Sequence, residues 1–264
     1  MRKKAKIGLA LGSGASRGLA HIGVLQVLEE HGIVPDYIAG SSIGALIGGL
    51  YACGISPRMM EGLASHLDSK LYYDVTVPRH GFIQGKRIEE LLKLLTQNKE
   101  FKETKIPFAV TATDLKKCKL VVIKEGKLYK AIRASISIPG IFVPVKTGDQ
   151  VLVDGGVLER VPVSVVKEMG ADIVVGVDVG FRGEHREANG ILEVILQSLE
   201  VMELEILKTR INQSDIMIYP SINNVNPLSF DEVEERVQIG RQATMEVIEE
   251  LKEKIRLAEE GAAS

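Results

Sequence analysis

The chain has 264 residues, 45% hydrophobic and 26% charged, enough for one large α/β domain with a substantial core, and residues 1–264 are expected to form that single domain. Its 33 basic and 35 acidic residues leave a formal charge of −2, which argues against nucleic acid as the main partner, since phosphate binding needs a strong positive excess or patch. No run of about eighteen apolar residues occurs, so no transmembrane helix is expected.

Met1-Arg2-Lys3-Lys4 before Ile7 to Leu11 imitates the start of a signal peptide. The apolar run breaks at Gly12 without a small-residue cleavage pattern, so it reads as a solvated N-terminus feeding a first strand. Gly12-Ser13-Gly14-Ala15-Ser16-Arg17-Gly18 follows, and then a helix over Leu19 to His31. A glycine loop entering a helix turns backbone amides toward an anion, with the helix dipole in support. Two ligands suit it. One is a dinucleotide pyrophosphate, although Gly12, Gly14 and Gly18 match the Rossmann spacing only loosely and Arg17 stands where a glycine belongs. The other is the tetrahedral oxyanion of an acyl transfer.

Tyr37 to Gly40 predicts a second strand and Ile43 to Cys53 a helix, with Gly40-Ser41-Ser42-Ile43-Gly44 at their junction. GxSxG in that context is a nucleophile elbow, in which Gly40 and Gly44 permit a strained turn that presents Ser42. Alone, it is equally a Gly/Ser loop opening a helix. The amide-rich loop upstream adds the second part that acyl transfer requires.

Arg87 to Thr96 reads as a helix, and Gly85-Lys86-Arg87 as its start, since it lacks the rest of a P-loop. Phe108 to Thr113 is a strand, and Asp114 at its end suits either catalysis or, more commonly for a strand-end acid, capping of the next turn. Leu120 to Lys124 before Glu125-Gly126-Lys127 suggests an antiparallel edge hairpin. Val151-Leu152-Val153 is a strand ending in Asp154-Gly155-Gly156, which by itself is a turn signal. A helix over Val163 to Met169 follows, and then Ile173 to Val179, the continuous apolar run of a strand covered on both faces. Asp178 carries the same ambiguity as Asp114. Of two long C-terminal helices, the first has an apolar face of Ile191, Ile195, Leu199, Met202 and Ile206 opposite Glu193 and Glu200. That polar face is acidic until Lys208 and Arg210, which favours core or subunit packing over a membrane surface. If it moves, it could roof a lipid groove. Glu232 to Glu235 and Lys252 to Glu260 read as solvated charge runs. Strand and helix alternate as in a three-layer α/β/α sandwich with a mostly parallel sheet.

Cys53 and Cys118 have no CxxC spacing and read as small buried or half-buried thiols of a reducing cytoplasm. The five histidines are His21, His31, His66, His80 and His185. None stands at a strand end beside glycine, and none follows His185, so a Ser-acid-His triad is not expected. His21, three residues past the glycine loop, is placed to brace it. An aspartate can act as base if a dry pocket raises its pKa, and Val151, Leu152, Val153 and Val157 around Asp154 suit that.

Through the Gly12 to Gly18 loop, the 40–44 elbow, Ala134 to Val145, Asp154-Gly155-Gly156 and Val157 to Val163, the chain resembles the patatin-like phospholipase family, in particular its short bacterial single-domain members. The resemblance runs from about Lys6 to Val163. It implies the three-layer fold and a Ser-Asp dyad, with Ser42 as nucleophile and Asp154 as base. It also places the oxyanion hole in the loop that holds Gly12, Gly14, Ala15, Ser16, Arg17 and Gly18, where this chain departs from the family's consecutive glycines. The implied activity is hydrolysis of a lipid carboxylic ester (phospholipid, lysophospholipid or acylglycerol) through an acyl-enzyme that water activated by Asp154 releases. No metal and no cofactor are implied. The protein is then expected to be cytoplasmic, free or peripherally bound at a membrane surface. The other expectation is a weakly catalytic or non-catalytic regulator that senses lipids on the same fold.

Overall fold

The computed structural model describes residues 4–66, 81–181, 188, 190–222 and 229–261. His80, His185 and the Arg182 to Glu187 stretch lie outside the described residues, as do Met1 to Lys3.

Eight strands form one sheet: β1 (Ile7–Leu11), β2 (Tyr37–Ser41), β3 (Phe108–Asp114), β4 (Lys119–Ile123), β5 (Val145–Thr147), β6 (Gln150–Asp154), β7 (Ile173–Val177) and β8 (Ile216–Ile218). Their order is β5-β6-β3-β2-β1-β7-β8, with β4 paired to β3 alone. From β3 to β8 every neighbour is parallel. The helices are α1 (Ala20–Glu30), α2 (Ile43–Ala52), α3 (Pro57–His66), α4 (Lys86–Leu95), α5 (Leu128–Ser135), α6 (Val163–Glu168), α7 (Ile191–Arg210) and α8 (Val233–Gly261).

Side chains alternate across a strand, so each strand serves two cores. Leu9, Leu11, Ile38, Val110, Val175 and Val177 face the larger one, which α1, α2 and α8 complete. Ala10, Ala39, Ala109 and Val174 face the smaller one, built with Val163, Val165 and Val166 of α6. Small residues on that face let α6 lie close. Apolar residues on both sides explain why β7 reads as an unbroken hydrophobic run.

Val151 to Val153 form a strand as expected, within β6, which runs antiparallel to β3 and β5. Two expectations need correction. The edge hairpin at β4 folds back onto β3 through the preceding Leu115 to Cys118 turn, while Glu125-Gly126-Lys127 leads into α5. Cys53 is buried, but Cys118 is exposed in that turn.

The antiparallel entry of β6 positions the site. On one edge of β3, β2 pairs as far as Ser41 with Thr111, and β6 takes over with Asp154 opposite Ala112. Because β4 occupies the other edge, the ends of β2 and β6 meet head-on over two adjacent residues of β3. Whatever follows Ser41 therefore faces Asp154.

Candidate active site

Ser42 links β2 to α2 with φ 54° and ψ −122°, a region that a side-chain-bearing residue adopts only when its surroundings hold it there. Backbone crowds both flanks. A Cβ on Gly40 would lie 2.4 Å from the Gly44 carbonyl oxygen, and one on Gly44 would lie 2.1 Å from that of Leu11. Only glycine fits either position. The turn is pinned by the Ser42 amide, which donates to Ser135 Oγ at 2.8 Å.

The Ser42 hydroxyl donates to Asp154 Oδ2 at 2.5 Å. Asp154 is itself fixed: its Oδ1 accepts the Gly156 amide at 2.8 Å and its own amide donates to the Ser137 carbonyl at 3.0 Å. Burial pushes its carboxyl up to about 7, against the pull of the hydrogen bonds from Ser42 and Gly156. A carboxyl with that value exchanges its proton near neutrality.

The glycine loop closes over the same spot. The Gly12 amide donates to Val177 O at 3.0 Å, Ser13 to Arg160 O at 2.8 Å and Arg17 to Gly14 O at 3.2 Å. Residues Ala15–Leu19 then make one 3-10 turn before α1. A cavity of about 60 Å³ beside Ser42 is lined by Ser13, Gly14, Ala15, Ile138, Pro139 and Asp154, among others. Of the loop residues singled out in the sequence, Gly14 and Ala15 thus reach the cavity. Gly12 has its amide engaged with β7, Ser16 and Gly18 are buried beneath, and the Arg17 guanidinium turns to Glu200 and the Phe181 ring. Gly155 and Gly156 open a short 3-10 turn directly after Asp154.

His21 is wholly buried and its Nε2 meets the Gly12 carbonyl at 2.9 Å. A carbonyl only accepts, so the ring is the neutral Nε2–H tautomer, and burial pushes its pKa down to about 4. It braces the loop and does not reach Ser42's cavity. Asp114 caps its turn by accepting the Lys116 and Val151 amides. Asp178 forms a buried ion pair with Arg160, at 2.8 Å to Nε and 3.2 Å to Nη2.

Glu203 is the residue that sequence reasoning missed. It sits on α7 and lines the cavity with Ser42. Its Oε2 accepts from Ser13 Oγ at 3.1 Å, and burial, aided by the charge of Asp154, pushes it up to about 8. The expected apolar face of α7 also needs correction. Ile191, Ile195 and Met202 are exposed, whereas Leu196, Leu199, Glu200 and Glu203 turn to the cavity and Leu207 to the smaller core. Polar partners at Ser13 and Arg17 draw two glutamates inward and rotate the helix away from its simplest hydrophobic reading. Among the described residues, no cluster of His, Cys, Asp or Glu could hold a metal, and no helix is long and apolar enough to cross a membrane.

The family model for patatin-like phospholipases matches residues 9–167. Lysophospholipase NTE1 of Debaryomyces hansenii is 33% identical over 180 residues, 66% of this chain and 12% of that protein. An uncharacterized NTE family protein of Mycobacterium tuberculosis is 35% identical over 176 residues, 66% of this chain and 49% of that one. The chain therefore matches about half of the mycobacterial relative's length and about an eighth of the yeast protein's. Among solved structures, VipD from Legionella pneumophila shares the fold with a TM-score of 0.64 at 14% identity, over 94% of this chain and 67% of that chain. The type III effector ExoU does so at 0.50 and 13%, over 97% and 54%.

Proposed function

The chain belongs to the patatin-like phospholipase family, and from that premise we propose that it is a serine acyl hydrolase that cleaves lipid carboxylic esters. The observation that carries the reading is the hydrogen bond of 2.5 Å from Ser42 Oγ to Asp154 Oδ2 on the wall of the cavity that Gly14 and Ala15 line. A serine hydroxyl is a poor nucleophile until a base accepts its proton, and here that proton would pass along a bond already in place. Asp154 is the base. Attack on the ester carbonyl makes a tetrahedral oxyanion, for which the amides of Gly14 and Ala15, two residues that line the cavity, are the proposed donors. Collapse expels the alcohol and leaves the acyl group on Ser42, from which water releases the fatty acid. The strained backbone at Ser42 holds the hydroxyl in its attacking position without reorganisation.

Lysophospholipids are the first substrates to test, because the yeast relatives bear the name lysophospholipase. The same chemistry would serve phospholipids and acylglycerols, presented in solution or at a membrane surface, and draws on no metal or cofactor. A fluorophosphonate probe tests the assignment, since it captures activated serines. One adduct is expected, on Ser42, with the neighbouring buried Ser41 unlabelled. An adduct on Ser41, or unlabelled protein that still hydrolyses esters, would remove Ser42 from the mechanism. Labelling without turnover of any ester would instead favour the lipid-sensing reading of the same pocket.

A further inference from the structure

Glu203 has no part in the chemistry of Ser42 and Asp154 as derived above, yet it shares their cavity. It lies outside the 9–167 segment that the family model matches. α7 brings it across the site, where Leu196 and Leu199 of the same helix face cover the cavity. Its Oε2 accepts from Ser13 Oγ at 3.1 Å. Its Oε1 lies against the acid motif, so close that a Cβ on Gly156 would be 2.9 Å away.

The charged groups around Glu203 come from four directions. Asp154 faces it from the end of β6, Arg160 from the segment before α6, and Glu200 from its own helix; Arg17 of the glycine loop pairs with Glu200. Arg160 is already bonded to Asp178. Two carboxyls that share one small cavity oppose each other's ionisation, because the charge on one raises the cost of charging the other. Burial pushes both carboxyls up, Asp154 to about 7 and Glu203 to about 8, and the charge of Asp154 adds to the rise at Glu203. Near neutrality the pair therefore passes through a state in which the cavity holds one proton on two carboxyls, which leaves one group to accept a proton and one to give it.

We propose that Glu203 is a further catalytic residue of this site, the acid that protonates the leaving alcohol oxygen of the ester while Asp154 serves Ser42 as base. The proposal rests on the acyl-hydrolase reading above. In acylation the Ser42 Oγ–carbonyl bond forms and the hydroxyl proton goes to Asp154. The ester C–O bond then breaks, and the departing oxygen takes the proton of Glu203. In deacylation Asp154 already holds the proton from Ser42, so the water that the resemblance gave to Asp154 attacks the acyl carbon and gives its proton to the Glu203 carboxylate instead. Asp154 returns its proton to Ser42 Oγ as that bond breaks. Both carboxyls end as they began.

The test compares the ethyl and p-nitrophenyl esters of one fatty acid through kcat/KM, which reports acylation. Nitrophenolate departs without a proton; an alkoxide does not. Glu203→Gln keeps the size and an acceptor for Ser13 but has no acid to give. The ethyl-to-nitrophenyl ratio of kcat/KM is expected to fall by about 10²-fold, within the range of a positioned acid. The alkaline decline of the ethyl ester profile near pH 8 should vanish with it. Glu203→Asp, which keeps an acid on a shorter arm, should lose less of the ratio. Equal losses on both esters would reduce Glu203 to a structural role, and an unchanged ratio with the alkaline decline intact would remove it from catalysis. Failure of the acyl-hydrolase reading shows separately, as wild-type protein that turns over neither ester.

Discussion

As the proposed base, Asp154 can accept the Ser42 proton only as a carboxylate, so its burial should set the acid side of the pH profile. With the carboxyl pushed up to about 7, kcat/KM should rise with pH through that value, well above the range of an ordinary aspartate. Asp154→Asn keeps the acceptor for the Gly156 amide but takes no proton. Its kcat/KM for a p-nitrophenyl ester should drop by roughly 10²–10⁴-fold and the rising limb should disappear. Wild-type activity already flat between pH 5 and 8 would contradict a raised Asp154. His21 carries no such expectation. Its ring holds the Gly12 carbonyl and stays neutral, so His21→Gln should change loop geometry before it changes any protonation step.

At the scale of elements, the glycine loop is positioned by the segment that joins β6 to α6 as much as by β1. Arg160 accepts the Ser13 amide on its carbonyl and sends its fully buried guanidinium to Asp178 just beyond β7. Removing one partner leaves a buried charge uncompensated, which typically costs about 3–5 kcal/mol, while replacing both with apolar side chains costs far less. Arg160→Met should therefore unfold at markedly lower urea and lose esterase rate through the loop. Arg160→Met with Asp178→Leu should recover most of the stability. A double variant as unstable as the single would show that the ion pair is not what matters there. The elbow and the loop were legible in the sequence because each is local, with strand, turn glycines and helix falling within a dozen residues. Asp154 was legible from its motif, but the direction of its strand was not. An apolar run such as Val151-Leu152-Val153 reads the same whether the strand is parallel or antiparallel, and partner choice lies in contacts distant in sequence. Glu203 was hidden for a related reason. Hydrophobic periodicity orients a helix by its apolar residues, whereas α7 is turned by Glu200 and Glu203 reaching Arg17 and Ser13 some 190 residues earlier.

For the molecule as a whole, the site is a standing charge on stability. Asp154 moves from 3.8 to about 7 on folding and Glu203 from 4.5 to about 8. As pH rises above 4, the unfolded chain releases these protons before the folded one does. The stability held by the protonated acids is thus complete below about pH 4 and is lost as pH climbs through 7 and 8. For Asp154 alone the shift corresponds to a loss on the order of 4 kcal/mol. His21 acts in the opposite sense: with its folded value down from 6.5 to about 4, it destabilises the fold as pH falls through that window. Its effect is common to wild type and to variants at the two acids, so it cancels in their difference. Asp154→Asn combined with Glu203→Gln should therefore gain stability over wild type as pH is raised from 5 to 8, while losing hydrolysis, a trade seen where active sites hold groups in unfavourable states. Because each charge raises the cost of the other, the gains of the two single variants should sum to more than the gain of the double at pH 8 or above. Guanidinium denaturation of the four proteins across that range measures both quantities, and a stability difference independent of pH would mean that neither acid is held protonated by the fold.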